Sequence, residues 1–177
     1  MISAGGFWLS ETPHIAGSVS WDSARPRFVN WVDLRERDSG REFRVWNGHL
    51  DHIGQVARER QAQLIVEAAN ALADDLPQLL TADFNADAAN PAIEIIKAGG
   101  WLDTYAAVHG PDDPGFTFHA FLGPRFVESR PPEKINGKID FIFCRGPVKT
   151  LAANIIRDSR AGRYPSDHYF GSAEVEL

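Results

Sequence analysis

A layered α/β fold is what this sequence predicts, and three observations predict it. Two strand-to-helix units lie in tandem: a run ending at His49 precedes a helical pattern from about Gln55 to Asp74, and Gln78-Leu79-Leu80-Thr81-Ala82 precedes a helix from Pro91 to Ala98. In the run Arg27 to Arg37 both faces carry apolar side chains, Phe28, Val32 and Leu34 on one and Val29 and Trp31 on the other, as in a strand covered on both sides. Polar residues gather where the strands end, which is where open α/β sheets place their ligands.

Taken in order, residues 5 to 9 read as a short strand, followed by a Ser-, Gly- and Pro-containing loop that ends on Trp21-Asp22. Arg27 to Arg37 and Glu42 to His49 then form a hairpin across Asp38-Ser39-Gly40, with Gly40 at the position that needs positive φ. Val56, Leu64, Ala68, Ala71 and Leu72 fall near helical spacing, and Pro77 is read as the stop. The second helix has Pro91 in its first turn and Gly99-Gly100 after its end. Trp101 to Lys138 reads mostly as loop, a length that suits a functional segment, and the aromatic run Phe116 to Phe121 with Arg125 and Arg130 is where substrate selectivity is expected. Lys138 to Cys144, Val148 to Ile156 and Tyr169 to Val175 complete the strands.

With 177 residues, 44% of them hydrophobic and 24% charged, the chain is expected to form one domain over residues 1–177 with a sizeable core of its own. No run approaches the roughly 18–20 apolar residues that cross a bilayer. Met1 to Gly6 lacks the basic start and apolar stretch of a secretory leader, and the single cysteine, Cys144, precludes an internal disulfide. A cytoplasmic protein without membrane partners is the expectation. The net charge of −6 argues against a broad basic surface for gripping nucleic acid, but it is compatible with acids that hold a cation and through it a phosphate.

Several polar residues stand where apolar ones would serve a core better. Asp140 interrupts the apolar strand between Ile139 and Phe141, and a buried carboxylate needs a partner: either Lys138 or an arginine, or an imidazole whose tautomer it fixes, with His168 as the candidate. Asp83 and Asn85 alternate with Phe84, so both can face one pocket. There Asp83 can orient or deprotonate a water and Asn85 can donate to a developing oxyanion; an Asx turn leading into a helix is the structural alternative. His49 ends a strand, and Asp167-His168 follows the bend at Pro165-Ser166. No Cys pair, HExxH or Gly-rich phosphate loop accompanies them, and oxygen ligands favour a hard cation such as Mg²⁺ or Mn²⁺.

His49-Leu50-Asp51, Thr81-Ala82-Asp83-Phe84-Asn85, Ile139-Asp140-Phe141-Ile142 and Ser166-Asp167-His168, in that order, resemble the four C-terminal motifs of the endonuclease/exonuclease/phosphatase superfamily. Trp21-Asp22, Thr117-Phe118-His119-Ala120-Phe121 and the segment Phe7 to Pro13 are similar to an uncharacterised bacterial branch of it. The resemblance implies a four-layer α/β/β/α sandwich of two mixed sheets that cleaves phosphoester bonds with Mg²⁺ or Mn²⁺, as a nuclease, phosphodiesterase or phosphatase. It implies that His168, paired with Asp140, acts at the attacked phosphate, that Asp83 orients the water, that Asn85 and His49 contact phosphate oxygens, and that Asp167 is a metal ligand. The substrate would be a phosphate ester, nucleic acid and nucleotides among the candidates.

The resemblance covers only the C-terminal two thirds of such a domain. Family members carry, before the point at which this chain starts, an Asn and a Gln-Glu pair whose Glu is the principal metal ligand; Glu11 does not match that motif. The fold is therefore expected to be incomplete at the N-terminus, with strand edges completed by self-association or by a partner. A catalytically silent domain acting as a binding or interaction module is the alternative expectation.

Overall fold

The computed structural model describes residues 1–132 and 135–177; Glu133 and Lys134, inside the stretch read as loop, lie outside them. The chain runs β1 (Ser3–Trp8), β2 (Phe28–Arg35), β3 (Glu42–His49), α1 (Gln55–Asn70), β4 (Gln78–Asp83) and α2 (Pro91–Ala98). It continues through β5 (Leu102–Asp103), α3 (Thr104–His109), a 3-10 helix (Gly123–Glu128), β6 (Asp140–Arg145), β7 (Lys149–Ile156) and β8 (Phe170–Glu176).

Six strands form one mixed sheet in the order β1-β2-β3-β4-β6-β5, and β7 and β8 form a separate two-stranded ribbon. The β2–β3 hairpin turns where expected, with Gly40 at φ 74° and its N–H donating to Glu36 O at 3.1 Å. β3 and β4 are parallel because α1 carries the chain back across one face, the ordinary geometry of a strand-helix-strand crossover. α1 has no cap from its own N-cap residue, Gly54; instead Asp22 Oδ1 accepts from Ala57 N at 2.7 Å. A Cβ on Gly54 would lie 2.5 Å from Asp22 O, so glycine permits this approach. α2 starts as a capped helix should: Asn90 accepts from Ala92 N and Pro91 fills the first turn.

Alternation along the strands divides the molecule into layers. Leu80 and Ala82 of β4 and Phe141 and Phe143 of β6 point to one face, where they pack with Ile65, Val66 and Ala69 of α1 and Ile93 and Ile96 of α2. Phe84, fully buried, meets Phe141 and Phe143 edge-on at 5.5 and 5.4 Å. On the opposite face, Cys144 Sγ lies 3.7 Å from Thr150 Oγ1 of β7 and Gly171 of β8 lies against Ile142, so the ribbon forms the next layer. The α/β sandwich read from the sequence is thereby observed, with a six-stranded sheet and a two-stranded one.

Three local expectations are corrected and a fourth is refined. α1 ends at Asn70, four residues before Asp74, because its buried face runs out at Ala69 and Leu72 N turns back onto Ala69 O. Trp101 to Lys138 is mostly loop, as expected, but β5, α3 and the 3-10 helix fall inside it, α3 capped by Asp103 accepting from Tyr105 N. β2 is not covered on both sides, since the ribbon packs against β6 and leaves Phe28 40% exposed. Asp140 begins β6 instead of interrupting it, and Lys138 pairs with Asp103 at 2.7 Å.

Candidate active site

The strand registers place His49 of β3 beside Asp83 of β4, and Asp83 beside Asp140 of β6. All three occupy the ends of neighbouring strands, on the face away from α1 and α2, so they form a row across the sheet. Like charges directly opposite each other on a sheet repel. The imidazole of His168 answers that repulsion: its Nδ1 lies 2.8 Å from Asp140 Oδ2 and its Nε2 lies 3.8 Å from Asp83 Oδ2. His49 Nε2 lies 3.2 Å from the same Asp83 oxygen.

Backbone bonds deliver His168 to that place. Ser166 Oγ accepts from His168 N, and Asp167 O accepts from both His119 N at 2.8 Å and Ala120 N at 3.1 Å. Tyr169 N donates to Thr117 O, while Thr117 Oγ1 accepts from Ile139 N at 3.0 Å and Asp140 N at 3.3 Å. Thr117 thus ties the start of β6 to the segment holding the histidine. The ring of His119 is fully buried against Tyr164 and Tyr169, at 4.6 and 4.1 Å, and burial pushes its pKa down, so it is a neutral packing element.

Asp83 serves two purposes. Its Oδ1 accepts from Asn85 N at 2.8 Å, the Asx turn that the sequence offered as the alternative, while Oδ2 faces the histidines. Turn and pocket coexist. Asn85 adopts φ 49°, tolerable for asparagine, and its Nδ2 donates to Leu50 O at 3.0 Å, which leaves a second amide N–H uncommitted by that bond. Leu50 N donates in turn to Asp83 O, locking the ends of β3 and β4 together.

Burial sets the electrostatics first. It raises the Asp83 pKa, and the Asp140 charge adds to the rise against the opposing Asn85 N–H and the two histidines. Burial lowers the His49 pKa more than Asp83 restores it, with Arg27 reinforcing the fall. For His168 burial works against the charged ring, but the Asp140 hydrogen bond and charge, with Asp83 and Asp167, win and raise its pKa. The imidazolium form is the one this site favours.

Asp83, Asp140 and His168 each offer a ligand atom, all within 4.8 Å of one another. The two carboxylates are hard oxygen ligands that suit a divalent cation, whereas the His168 ring in its imidazolium form has no lone pair to offer one. Asp167 stands outside that trio and lines an adjoining recess of about 440 Å³ with Asp83, Asp140 and His168, its charge reaching His168. All six residues singled out in the sequence therefore border two recesses that share His49, Asp83 and His168 in their linings. Four of them, His49, Asp83, Asn85 and His168, line a cleft of about 520 Å³. The same cleft is lined by Arg25, Arg27, His52 and Arg130. Arg25, Arg27 and His52 escaped the sequence reading, because an arginine beside a strand ordinarily marks a solvated edge. The neighbouring Asp51, a buried acid in the His49-Leu50-Asp51 run, was the available hint.

A mixed α/β sandwich with a carboxylate-imidazole row at its strand ends defines a class of fold. Residues 6–168 match the Endonuclease/Exonuclease/phosphatase family, and the chain belongs to that family. It is similar in structure to a mannosyl-6-phosphatase of Bacteroides thetaiotaomicron VPI-5482, with a TM-score of 0.82 and 30% identity, over 99% of this chain and 66% of that one. It is similar also to an endonuclease/exonuclease/phosphatase from Bacteroides vulgatus, with a TM-score of 0.82 and 29% identity, over 99% of this chain and 65% of that one. The D. rerio TDP2 complexed with single-strand DNA product shares the fold, with a TM-score of 0.73 and 15% identity, over 99% of this chain and 68% of that one. The chain spans just under two thirds of the first two proteins. None of the curated proteins compared matches it.

Proposed function

We propose that the chain is a divalent-metal-dependent hydrolase of phosphoester bonds. The observation that carries this reading is the row His49, Asp83, Asp140 with His168 spanning the two carboxylates. Asp83 Oδ2 is the base that orients and deprotonates a water, because its raised pKa gives it proton affinity. His168, held by Asp140, presents Nε2–H to the phosphate and stabilises the charge that develops there. His49 and the second amide N–H of Asn85 contact phosphate oxygens from the other side of Asp83.

Asp167, which lines the same recess as Asp83 and Asp140, would hold Mg²⁺ or Mn²⁺, whose charge offsets that of the phosphate. The net charge of −6 disfavours long duplex nucleic acid. Among the similar structures the mannosyl-6-phosphatase points to phosphorylated sugars as a substrate class, with nucleotides beside them. No helix among the described residues is long and apolar enough to cross a membrane. The free, buried Cys144 supports a reducing compartment such as the cytoplasm.

The test is release of phosphate from mannose 6-phosphate, and of nitrophenol from bis(p-nitrophenyl) phosphate, by the purified chain with Mg²⁺ or Mn²⁺. His168→Ala should lower the rate by about 10²–10⁴-fold. Undiminished turnover in that variant would sink the assignment.

A further inference from the structure

Arg27 is placed oddly for a residue whose business is structural. It precedes β2, its side chain is only 11% exposed, and it lines the same cleft as Asp83 and His168. A guanidinium carries five N–H donors. Among the described residues the Arg27 side chain makes one hydrogen bond, between Nη2 and His52 Nδ1 at 3.1 Å, and its buried Nε has no partner.

The carboxylate beside it does not need those donors. Asp51, fully buried, accepts from Ile53 N and Gly54 N on Oδ1 and from Ser23 Oγ and Ala24 N on Oδ2. Arg27 Nε stands 3.6 Å from Asp51 Oδ2, close enough for attraction and too far for a hydrogen bond. Asp51 therefore holds the cation in place electrostatically at the buried Nε, while among the described residues Nη1 and the second N–H of Nη2 have no partner. The segment before it is fixed as well: Leu9 N donates to Arg27 O at 2.7 Å.

We propose that Arg27 is a specificity-determining residue, the centre of an anion subsite that grips phosphate-type oxygens of the substrate beside the hydrolytic row. Arg25 and Arg130 line the same cleft and add positive charge at its exposed rim, in a protein whose total charge is −6. Planar, bidentate recognition of phosphate is what a preformed guanidinium does best. The oxygens come either from the phosphate under attack or from a second anionic group of the same molecule. The proposal rests on the reading of this cleft as a phosphoester site, but its test does not depend on turnover.

The test is calorimetric titration of inorganic phosphate into the whole chain in EDTA, where no divalent cation bridges phosphate to the carboxylates and the arginine's share of binding is read from its variants. Wild type should bind phosphate, Arg27→Gln should weaken binding by about tenfold or more, and Arg27→Lys should fall between them. Asp83→Asn should bind at least as well as wild type. Circular dichroism establishes that each variant is folded, and Arg27→Lys, which keeps the charge beside Asp51, carries the test where Arg27→Gln does not fold. Equal binding by wild type and the Arg27 variants, or no binding by wild type, would overturn the proposal. Repeating the titration with pyrophosphate and Mg²⁺ separates the two sources: an equal loss for both ligands assigns Arg27 to the attacked phosphate, and a larger loss for pyrophosphate assigns it to a second anion. A chain that binds phosphate through Arg27 yet hydrolyses nothing would remove the hydrolase reading and leave this one standing.

Discussion

His168 Nδ1 and Asp140 Oδ2 stand 2.8 Å apart, although 28 residues separate them in the chain. The carboxylate sets the orientation of the ring, and burial, which would expel the ring proton, is outweighed by the Asp140 hydrogen bond and charge together with the charges of Asp83 and Asp167. Because the folded pKa lies above the ordinary 6.5, the stabilisation that this pair contributes is fully present below pH 6.5 and is lost as pH rises through the folded value.

Asp140→Asn keeps a polar partner of the same shape and removes the charge. In protein freed of divalent cations, the His168 ring proton followed by NMR should titrate at lower pH than in wild type. An unchanged titration would show that Asp140 does not govern the ring. The same variant should lose about 10²-fold or more in turnover.

Asp51 gives the opposite pH dependence. Burial alone would raise its carboxyl, but the N–H groups of Gly54 and Ile53, the Ser23 hydroxyl and Ala24 N bring it from 3.8 down to about 2. A depressed pKa stabilises the fold above the unfolded value and ceases to do so as pH falls through the folded one. Asp51→Asn should cost about 2 kcal/mol at pH 7 in urea denaturation, and its deficit against wild type should shrink as the pH is brought towards 2.

Phe84 packs edge-on against both Phe141 and Phe143, directly behind the two polar residues that flank it. Phe84→Ala should cost about 3–5 kcal/mol in stability. A loss below 1 kcal/mol would mean that β4 is not anchored through this ring.

Lys138 and Asp103 form a buried pair at 2.7 Å, with Lys138 Nζ also 3.7 Å from the centre of the Phe141 ring. Lys138→Met alone strands a buried carboxylate and should cost about 3–5 kcal/mol. Asp103→Asn in the same chain keeps the acceptor that caps α3 and should recover much of that loss. Additive losses in the double variant would refute the coupling.

The fold was legible wherever a local signal and a long-range one agreed. Gly40 marked the hairpin, and Pro91 and Gly99 bracketed α2. α3 carried its own caps, Asp103 before it and Gly110 after it, but six residues are too few for a periodic pattern to declare itself. The face of β2 was misread because composition shows which residues could be covered and not which layer reaches them. In the site, motif order brought out the row and His168. Arg27 remained hidden, since its burial arises from contacts with His52 and Asp51, some 25 positions away.

The segment that carries Arg27 is stapled from several directions, by Asp22 on Ala57, by Asp51 on Ser23 and Ala24, and by Leu9 on Arg27. Its conformational entropy is surrendered when the chain folds, not when a ligand arrives. A phosphate that reaches this wall meets a surface already in its bound shape, so capture should run at the pace of encounter in solution. Preference among ligands would then be written in how long each one stays.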